Sequence, residues 1–391
     1  MKILIINTLY APYKIGGAEK SIQSLAESFV KKNVEVMVLT LGTENKRTIL
    51  NGVIVEKVKI ENTYWPFGAE GKSSVQKLLW HIKDVENIKY DKIITELLVD
   101  FKPGILFTNN LTGFSVRSWE LAKKHGVKRV HTLRDYYLQC PKLTKYKNKQ
   151  NCNKQCVDCK ILSLQKKRHS NKVNAVVGIS YYILENHISN GYFSNGIQRV
   201  IYNGFSFNKI KESIKEKKKG LVFGYIGQIN QSKGIEFLLS SFKSLEGNKD
   251  WKLVIAGKRD NKYIENLKKI NNSNNITYIG YIDSNEFFKN IDVLIVPSLW
   301  QEPFGRVVLE GLINKKIVLG SKTGGINELL SNNKDFIFTP NTNELSFILE
   351  KLLSTNDFAQ KFNFNDEFLD RFLIDTITDQ YIELFEELIS I

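Results

Sequence analysis

The chain alternates short apolar runs with longer segments of helical periodicity. Lys2–Asn7 and Val34–Thr40 are apolar runs of strand length. Between them, Ala18–Lys32 places apolar residues at i, i+3, i+4 and i+7, the pattern of an amphipathic helix. This alternation predicts an α/β fold in which parallel strands are covered by helices on both faces.

The same alternation continues through both halves of the sequence. Predicted strands of the first half are Lys2–Asn7, Val34–Thr40, Ile105–Thr108, Lys128–Leu133, Ala175–Ile179 and Gln198–Tyr202. Predicted strands of the second half are Leu221–Gly227, Trp251–Gly257, Ile276–Gly280, Val293–Pro297 and Ile317–Gly320. Each half is therefore expected to form one doubly wound, Rossmann-like domain.

A polar, highly charged segment, Lys209–Gly220, separates the two halves. We place the domain boundary near residues 203–220, with an N-terminal domain of residues 1–205 and a C-terminal domain of residues 206–370. The segment 371–391 has the spacing of a final amphipathic helix. Ligands of open α/β sheets bind at the carboxyl ends of the strands, so both domains are expected to present their loops to an interdomain cleft.

Composition predicts a soluble, cytoplasmic protein with a large core. The chain has 391 residues, of which 42% are hydrophobic, enough for two domains. No apolar run reaches the roughly 20 residues that span a bilayer. The apolar run at the N-terminus is too short for a signal peptide.

The formal net charge of +15 favours an anionic partner, such as a membrane surface, a polyanionic glycan, a pyrophosphate-linked substrate or nucleic acid. The alternative is a lysine-rich composition that reflects an AT-rich genome. The charge is concentrated in residues 140–170, where nine Lys or Arg residues accompany one acid, Asp158. This local excess favours an insertion that touches the acceptor or a membrane surface.

The stretch 301–310 is the most informative for function. It joins the predicted strand 293–297 to helical spacing that starts at Arg306. Unpaired N–H groups at a helix start suit an anionic ligand. Glu302 would precede a phosphate held there and Glu310 would follow it, and carboxylates accept hydrogen bonds from sugar hydroxyls. The arrangement suggests a ligand with a sugar on each side of a pyrophosphate, which describes a nucleotide sugar.

Glu310 also has a simpler interpretation. On a helical wheel it lies opposite the apolar face and on the same stripe as Arg306. It would then be a surface acid paired with Arg306 and worth a few tenths of a kcal/mol. The spacing alone leaves both interpretations open.

Three further turns follow predicted strands, one in the first half and two at the same sheet edge as residues 301–310. Gly16 and Gly17 open the first helix, Lys233 precedes a helix in the second half, and Gly324 and Gly325 open another. Glycines at a helix start let the backbone approach an anion, and lysine adds positive charge. Each turn alone could be a plain tight turn or carry a solvated lysine, but together they favour anion binding.

All four cysteines of the chain, Cys140, Cys152, Cys156 and Cys159, lie in one basic loop. A cytoplasmic protein is not expected to hold structural disulfides. Clustered thiols at this spacing fit a tetrahedral all-cysteine zinc site, and an iron–sulfur cluster is the alternative metal site. The other interpretation is a set of reduced thiols in a flexible acceptor loop.

Together these motifs resemble the glycosyltransferases of the large retaining family 4, which have the GT-B fold. The resemblance covers nearly the whole chain and is carried by the segments 16–19, 227–234, 302–310 and 324–328. It implies a UDP-, GDP- or ADP-sugar donor and a glycan or lipid-linked acceptor, with no nucleic acid as partner. It also implies that the last helix crosses back to the first domain.

The resemblance assigns roles to the donor motif. It implies that Glu302 contacts the donor hexose, that Phe304 and Gly305 lend backbone amides to the donor, and that Glu310 holds the ribose hydroxyls. Lys233 would stabilise the diphosphate leaving group.

In the first domain, Gly17 would lie near the diphosphate and the reacting centre. Gly324 and Gly325 are included among the donor-binding residues. No cofactor is expected for catalysis, because positioning and electrostatic stabilisation of the diphosphate would suffice.

The sequence departs from the family at two positions. Gln228 stands where members often carry Arg, so one cation of the diphosphate clamp is missing. Arg134 stands where many have His before Asp135; it cannot act as a general base, but it can bind a phosphate or carboxylate. Arg134 and Asp135 remain candidate catalytic residues, whereas His131 is interpreted as a hydrogen-bonded core residue.

The sequence thus predicts a glycosyltransferase that moves a hexose, with retention, to a glycan or lipid-linked acceptor, in the cytoplasm or at the inner membrane face. One alternative is a sugar-nucleotide epimerase or glycan phosphorylase on the same fold. The other is a non-catalytic protein that binds polyanions.

Overall fold

The structure is a computed structural model that describes residues 1–13, 16–66, 71–207, 220–247, 250–259, 261–340 and 342–391. The chain divides into two compact units. Unit 1 comprises Met1–Lys145, Cys152–Ser206 and Asp370–Ile391, and unit 2 comprises Tyr146–Asn151 and Phe207–Leu369. Most of the predicted linker, residues 208–219, lies outside the described residues.

The strands are β1 (Lys2–Ile6), β2 (Glu35–Gly42), β3 (Lys46–Leu50), β4 (Val53–Lys59), β5 (Ile105–Thr108), β6 (Lys128–Leu133), β7 (Tyr146–Lys147), β8 (Gln150–Asn151), β9 (Ala175–Gly178), β10 (Ile197–Val200), β11 (Leu221–Ile226), β12 (Trp251–Ala256), β13 (Ile276–Gly280), β14 (Val293–Val296), β15 (Ile317–Ser321) and β16 (Ile337–Phe338).

The helices are α1 (Gly17–Lys31), α2 (Ser74–Val85), α3 (Asp91–Phe101), α4 (Arg117–Lys124), α5 (Val157–Ser170), α6 (Tyr181–Ile188), α7 (Ile235–Ser241), α8 (Asn261–Ile270), α9 (Ser284–Lys289), α10 (Arg306–Ile313), α11 (Ile326–Leu329), α12 (Thr342–Ser354), α13 (Asn356–Gln360), α14 (Asp366–Asp370) and α15 (Ile374–Ser390).

Each unit is built on one mainly parallel sheet. The order in unit 1 is β10-β9-β6-β5-β1-β2-β4-β3, and the order in unit 2 is β13-β12-β11-β14-β15-β16. The winding reverses between β1 and β5 in unit 1 and between β11 and β14 in unit 2. The crevice outside the carboxyl ends of the strands at such a point is where α/β sheets bind ligands.

The α/β prediction with two doubly wound units is confirmed, and the predicted strands match observed strands to within a residue or two at most ends. The expectation of purely parallel sheets was wrong at β3, which pairs antiparallel with β4. The turn between them is Asn51-Gly52, and both residues have positive φ, 52° and 80°. Asn-Gly is a typical two-residue hairpin turn, so this strand was readable from the sequence.

The last helix, α15, belongs to unit 1. It packs against α1, and the ring centroids of Phe385 and Phe107 are 5.4 Å apart. The hydroxyl groups of Tyr381 and Thr132 are 3.0 Å apart and share a hydrogen bond. Because these residues are buried, the end of the chain completes the core of the first sheet.

None of the helices in the described ranges combines the length and the hydropathy needed to cross a bilayer.

We predict that Phe385→Ala destabilises unit 1 by about 3–5 kcal/mol, because it leaves a cavity in the core and removes aromatic contacts. Urea denaturation followed by circular dichroism measures the change. Phe347→Ala on α12 is the matched control, since Phe347 is 56% exposed whereas Phe385 is fully buried. Equal losses in the two variants would contradict the assignment of α15 to the unit 1 core.

Candidate active site

The carboxylate of Glu302 is the centre of a hydrogen-bonded cluster in unit 2. Glu302 lies in the loop between β14 and α10 and is only 8% exposed. Its Oε1 accepts hydrogen bonds from Lys233 Nζ at 2.6 Å, Ser298 Oγ at 2.6 Å and Trp300 Nε1 at 2.9 Å. Within the described ranges, no protein group donates to Oε2, so this oxygen can accept from a ligand hydroxyl.

Lys233 is positioned by its own loop after β11. Asn230 Oδ1 accepts from the backbone N–H of Lys233 at 3.0 Å and from Ser232 Oγ at 2.8 Å. The ammonium group of Lys233 lies 5.1 Å from the ring centroid of Trp300. The loops after β11 and β14 therefore meet at the point where the winding reverses, and they bring a cation and a carboxylate together.

Gly234 explains how the two loops come so close. Its φ is 76°, and a Cβ atom there would lie 1.8 Å from the carbonyl oxygen of Pro297. Only glycine fits both this backbone conformation and this contact. The glycine after Lys233 is thus required for the approach of the lysine to Glu302.

The Gly324-Gly325 turn supports Glu302 from the loop after β15. The N–H of Gly325 donates to the Glu302 carbonyl oxygen at 2.8 Å, and the N–H of Gly324 donates to Gln301 Oε1 at 2.7 Å. A Cβ at Gly324, whose φ is 50°, would lie 2.0 Å from the same Glu302 carbonyl. Both amides are bonded within the protein, so the turn holds the Glu302 backbone in place.

The other donor-motif residues lie around this cluster. Phe304 is buried, and Gly305, with φ of 93°, is the N-cap of α10. Glu310 accepts from Arg306 Nε at 2.9 Å, which is the ion pair of the simpler interpretation; its role toward ribose stays a prediction. The Gln228 side chain is exposed.

The predicted residues of unit 1 lie at the carboxyl edge of its sheet. Arg134 Nε donates to Asn109 Oδ1 at 2.8 Å, and its NH1 donates to Asn203 Oδ1. Asp135 accepts from Asn110 Nδ2 at 2.7 Å. The loops after β5 and β6 are thus joined by polar side chains.

Gly17 is the first residue of α1, which follows β1. The preceding residue, Gly16, donates its N–H to Glu19 Oε2 at 3.0 Å. Residues 14 and 15 of this loop lie outside the described residues. The structure therefore places Gly17 at a helix start on the carboxyl edge of the unit 1 sheet, beside the point where the winding reverses.

A buried ion pair lies near Asp135. Lys166 Nζ is 3.8 Å from Asp84 Oδ2, and both side chains are buried. Burial lowers the pKa of Lys166 to about 8 and raises the pKa of Asp84. Lys166 also donates to the Tyr137 carbonyl at 3.2 Å. Its positive charge lowers the pKa of Asp135, against the larger effect of burial, which raises it.

His131 is a core residue. Its Nδ1 shares a hydrogen bond with Thr108 Oγ1 at 2.9 Å, and its ring stacks on Phe193 with centroids 5.8 Å apart. Burial lowers its pKa to about 3, so the imidazole is neutral at physiological pH.

Several site residues were missed by sequence reasoning. Ser298, Trp300, Asn109, Asn110 and Asn203 each bond to a predicted residue. The signal for the asparagine pair was its place directly after β5. A serine and a tryptophan near a strand end carry no such signal.

Burial raises the pKa of Asp135 to about 6, which predicts a pH-dependent stability. The usual value for an unfolded aspartate is about 3.9, so the folded chain binds the extra proton between about pH 4 and 6. The protonated form stabilises the fold, and this contribution of roughly 2–3 kcal/mol is lost as the pH rises through 6.

Asp135→Asn removes this titration. The unfolding free energy of the wild type minus that of the variant should fall from pH 4 to pH 6 and be constant above pH 7. Asp379→Asn, an exposed carboxylate on α15, controls for the loss of one charge. Parallel curves for the wild type and Asp135→Asn would contradict the raised pKa.

The chain is similar to known proteins in both sequence and fold. The family model for Glycosyl transferases group 1 matches residues 206–367. An uncharacterized 42.6 kDa protein in the cps region of Klebsiella pneumoniae is 35% identical over 388 residues, which cover 99% of this chain and all of that protein.

Two solved structures share the fold over nearly the full length. Sucrose-phosphate synthase from Thermosynechococcus elongatus superposes with a TM-score of 0.78 at 18% identity and covers 100% of this chain and 99% of its own. Anabaena HepE in complex with UDP and glucose superposes with a TM-score of 0.70 at 18% identity and covers 99% of this chain and 100% of its own. With the family match and the two Rossmann-like units, these findings show that the chain belongs to the group 1 glycosyl transferases of GT-B fold.

Proposed function

We propose that this protein transfers a hexose from a nucleoside diphosphate sugar to a hydroxyl group of a glycan or lipid-linked acceptor, with retention of the anomeric configuration. The observation that carries the proposal is the Glu302 carboxylate. Three groups donate to one of its oxygens, and one of them is the Lys233 ammonium. A fixed acceptor and a fixed cation at a strand-end crevice match a sugar joined to a diphosphate.

In this proposal Glu302 and Lys233 have complementary roles. Glu302 Oε2 accepts a hydrogen bond from a hexose hydroxyl, while Oε1 stays bound to the protein. Lys233 neutralises charge that develops on the departing diphosphate. Because both groups are already positioned, little reorganisation is needed when the bond breaks.

Similarity to known proteins supports the choice of ligands. Anabaena HepE was solved with UDP and glucose, so UDP-sugars are the first donors to test, followed by GDP- and ADP-sugars. The Klebsiella relative is described as lying in a cps region, which favours an acceptor in the assembly of a surface polysaccharide.

The test is turnover of nucleotide sugars by Glu302→Gln. We expect kcat to fall by roughly 10²–10³-fold, the usual cost of removing one preorganised electrostatic partner, with the affinity for the free nucleotide nearly unchanged. Release of the nucleoside diphosphate in the presence of acceptor measures kcat, and calorimetry measures binding. Glu286→Gln on α9, an exposed glutamate paired with Lys289, is the matched control.

Other outcomes would contradict the transferase. Full turnover by Glu302→Gln would remove the central role of this carboxylate. Epimerised donor, or glycan cleavage that requires phosphate, would indicate an epimerase or a phosphorylase. Absence of nucleotide-sugar binding together with salt-sensitive binding of polyanions would favour the non-catalytic alternative.

A surface of unit 1 supports a membrane-bound acceptor. The apolar patch consists of outward-facing residues on two helices, and each is 48–74% exposed. Its members are Val75, Leu78, Leu79 and Ile82 on α2 and Val157, Ile161 and Leu164 on α5. Large apolar side chains on a monomer surface mark contact with a partner or a membrane.

The two helices pack against each other, and one ion pair and one hydrogen bond join the regions of their last turns. Asp84 pairs with Lys166, and Glu86 accepts from His169 at 2.9 Å. The exposed apolar residues of the two helices therefore lie at similar positions along the helix axes. Exposed cations lie on the same two helices or shortly before α5, namely Lys77, Lys154, Lys160, Lys167 and Arg168. Exposed apolar residues and cations on the same helices suit an anionic bilayer, so we propose that the protein binds to the inner membrane face.

We predict binding to phosphatidylserine vesicles that weakens with salt, and little binding to phosphatidylcholine vesicles. The double variant Leu79→Glu, Ile161→Glu should bind at least about tenfold more weakly, since two apolar contacts with the bilayer are lost. Vesicle co-sedimentation measures this, and Phe347→Glu in unit 2 is the control. Undiminished vesicle binding by the double variant would exclude the patch as the docking surface.

A further inference from the structure

The basic loop of unit 1 brings together all four cysteines of the chain. Cys140 is buried, and Cys152, Cys156 and Cys159 are partly buried. Cys156 is the N-cap residue of α5, and Cys159 lies in its first turn. Two of the four cysteines therefore lie at the start of α5, and the other two lie in the chain that precedes it.

The thiols are adjacent in pairs. Cys159 lies near Cys140, and Cys152 lies near Cys156 and Cys140. The sulfurs of Cys156 and Cys159 and a carboxylate oxygen of Asp158 lie within 4.8 Å of one another. In a tetrahedral zinc site with Zn–S bonds of about 2.3 Å, the sulfurs are about 3.8 Å apart, so the separation of Cys156 and Cys159 is close to that of two zinc ligands.

The surroundings favour negative charge. The N-terminus of α5 directs positive partial charge at Cys156 and Cys159. The ammonium group of Lys145 interacts with Cys140, Cys152 and Cys159. Its Nζ is held by Gln139 Oε1 at 2.8 Å and Asn186 Oδ1 at 3.1 Å. Four thiolates on one zinc carry a net charge of about −2, which this helix start and this lysine offset.

We propose that Cys140, Cys152, Cys156 and Cys159 bind one structural zinc ion. Four protein ligands close the coordination sphere and leave no open position for a substrate, which is the difference between a structural and a catalytic zinc site. The zinc therefore stabilises the loop and takes no part in sugar transfer.

The backbone of the loop shows what the zinc stabilises. Leu143, Lys145, Asn148 and Lys149 all have positive φ, between 49° and 64°. Non-glycine residues adopt this conformation at a cost and keep it only where the surroundings fix it. The N–H of Cys152 donates to the Lys145 carbonyl at 2.7 Å, and this bond closes the loop beside two of the ligands. A metal link between Cys140 and Cys152 would fix both ends of the loop.

The test uses the full-length protein purified under reducing conditions without chelators. Elemental analysis should find about one zinc per chain, and cobalt substitution should give the visible spectrum of a tetrahedral thiolate site. Cys140→Ser and Cys152→Ser should each lose the metal on a chelating resin. If either variant fails to fold, the zinc content and the cobalt spectrum of the wild type decide.

Asp158→Asn is the matched control, because its carboxylate is the other candidate ligand beside Cys156 and Cys159. It should retain about one zinc. Loss of zinc from Asp158→Asn but not from Cys140→Ser would overturn the four-cysteine site. Iron with sulfide, or two disulfides and no metal, would overturn the zinc assignment.

Discussion

A largely buried carboxylate imposes the central constraint on unit 2. Removing Glu302 from water costs several kcal/mol unless its charge is met by hydrogen bonds or by a cation. Lys233, Ser298 and Trp300 meet it, but they come from two loops that must touch. The contact requires glycine at 234, and the support beneath the Glu302 backbone requires glycine at 324. The glycines of the motif therefore act largely by allowing close backbone packing around this one charge.

Unit 1 also contains a buried carboxylate, Asp135, and the groups that donate hydrogen bonds to it are neutral. The carboxylate of Asp135 lies among asparagine and backbone donors at the ends of β5 and β6. Arg134 donates to two asparagine oxygens, which fix the position of its guanidinium group. An arginine fixed in this way suits an anionic group better than it suits proton transfer, which fits the absence of a histidine before Asp135.

The sequence predicted most of the architecture because both units depend on short-range patterns. The strand-end rule also placed Lys233 and Glu302 on the same sheet edge, although their direct contact required the structure. No buried face was predicted for α5, whose residues were treated as part of a basic loop, and its apolar positions do not mark the face that is buried. There the structure buries Lys166 and His169 and exposes Val157, Ile161 and Leu164. The partners of Lys166 and His169 are the buried Asp84 and the exposed Glu86. They are about 80 residues away in sequence, so no local pattern could have indicated this reversal.

The hairpin β7-β8 supports the loop between β14 and α10 in unit 2. It lies between Cys140 and Cys152 in sequence, yet its contacts group it with unit 2. Asn151 Nδ2 donates to the Leu299 carbonyl at 2.7 Å, and Asn151 Oδ1 accepts from the N–H of Gln301 at 3.1 Å. These bonds hold the backbone on either side of Trp300, which itself donates to Glu302. The hairpin therefore helps to hold the loop that carries Glu302 in place within unit 2.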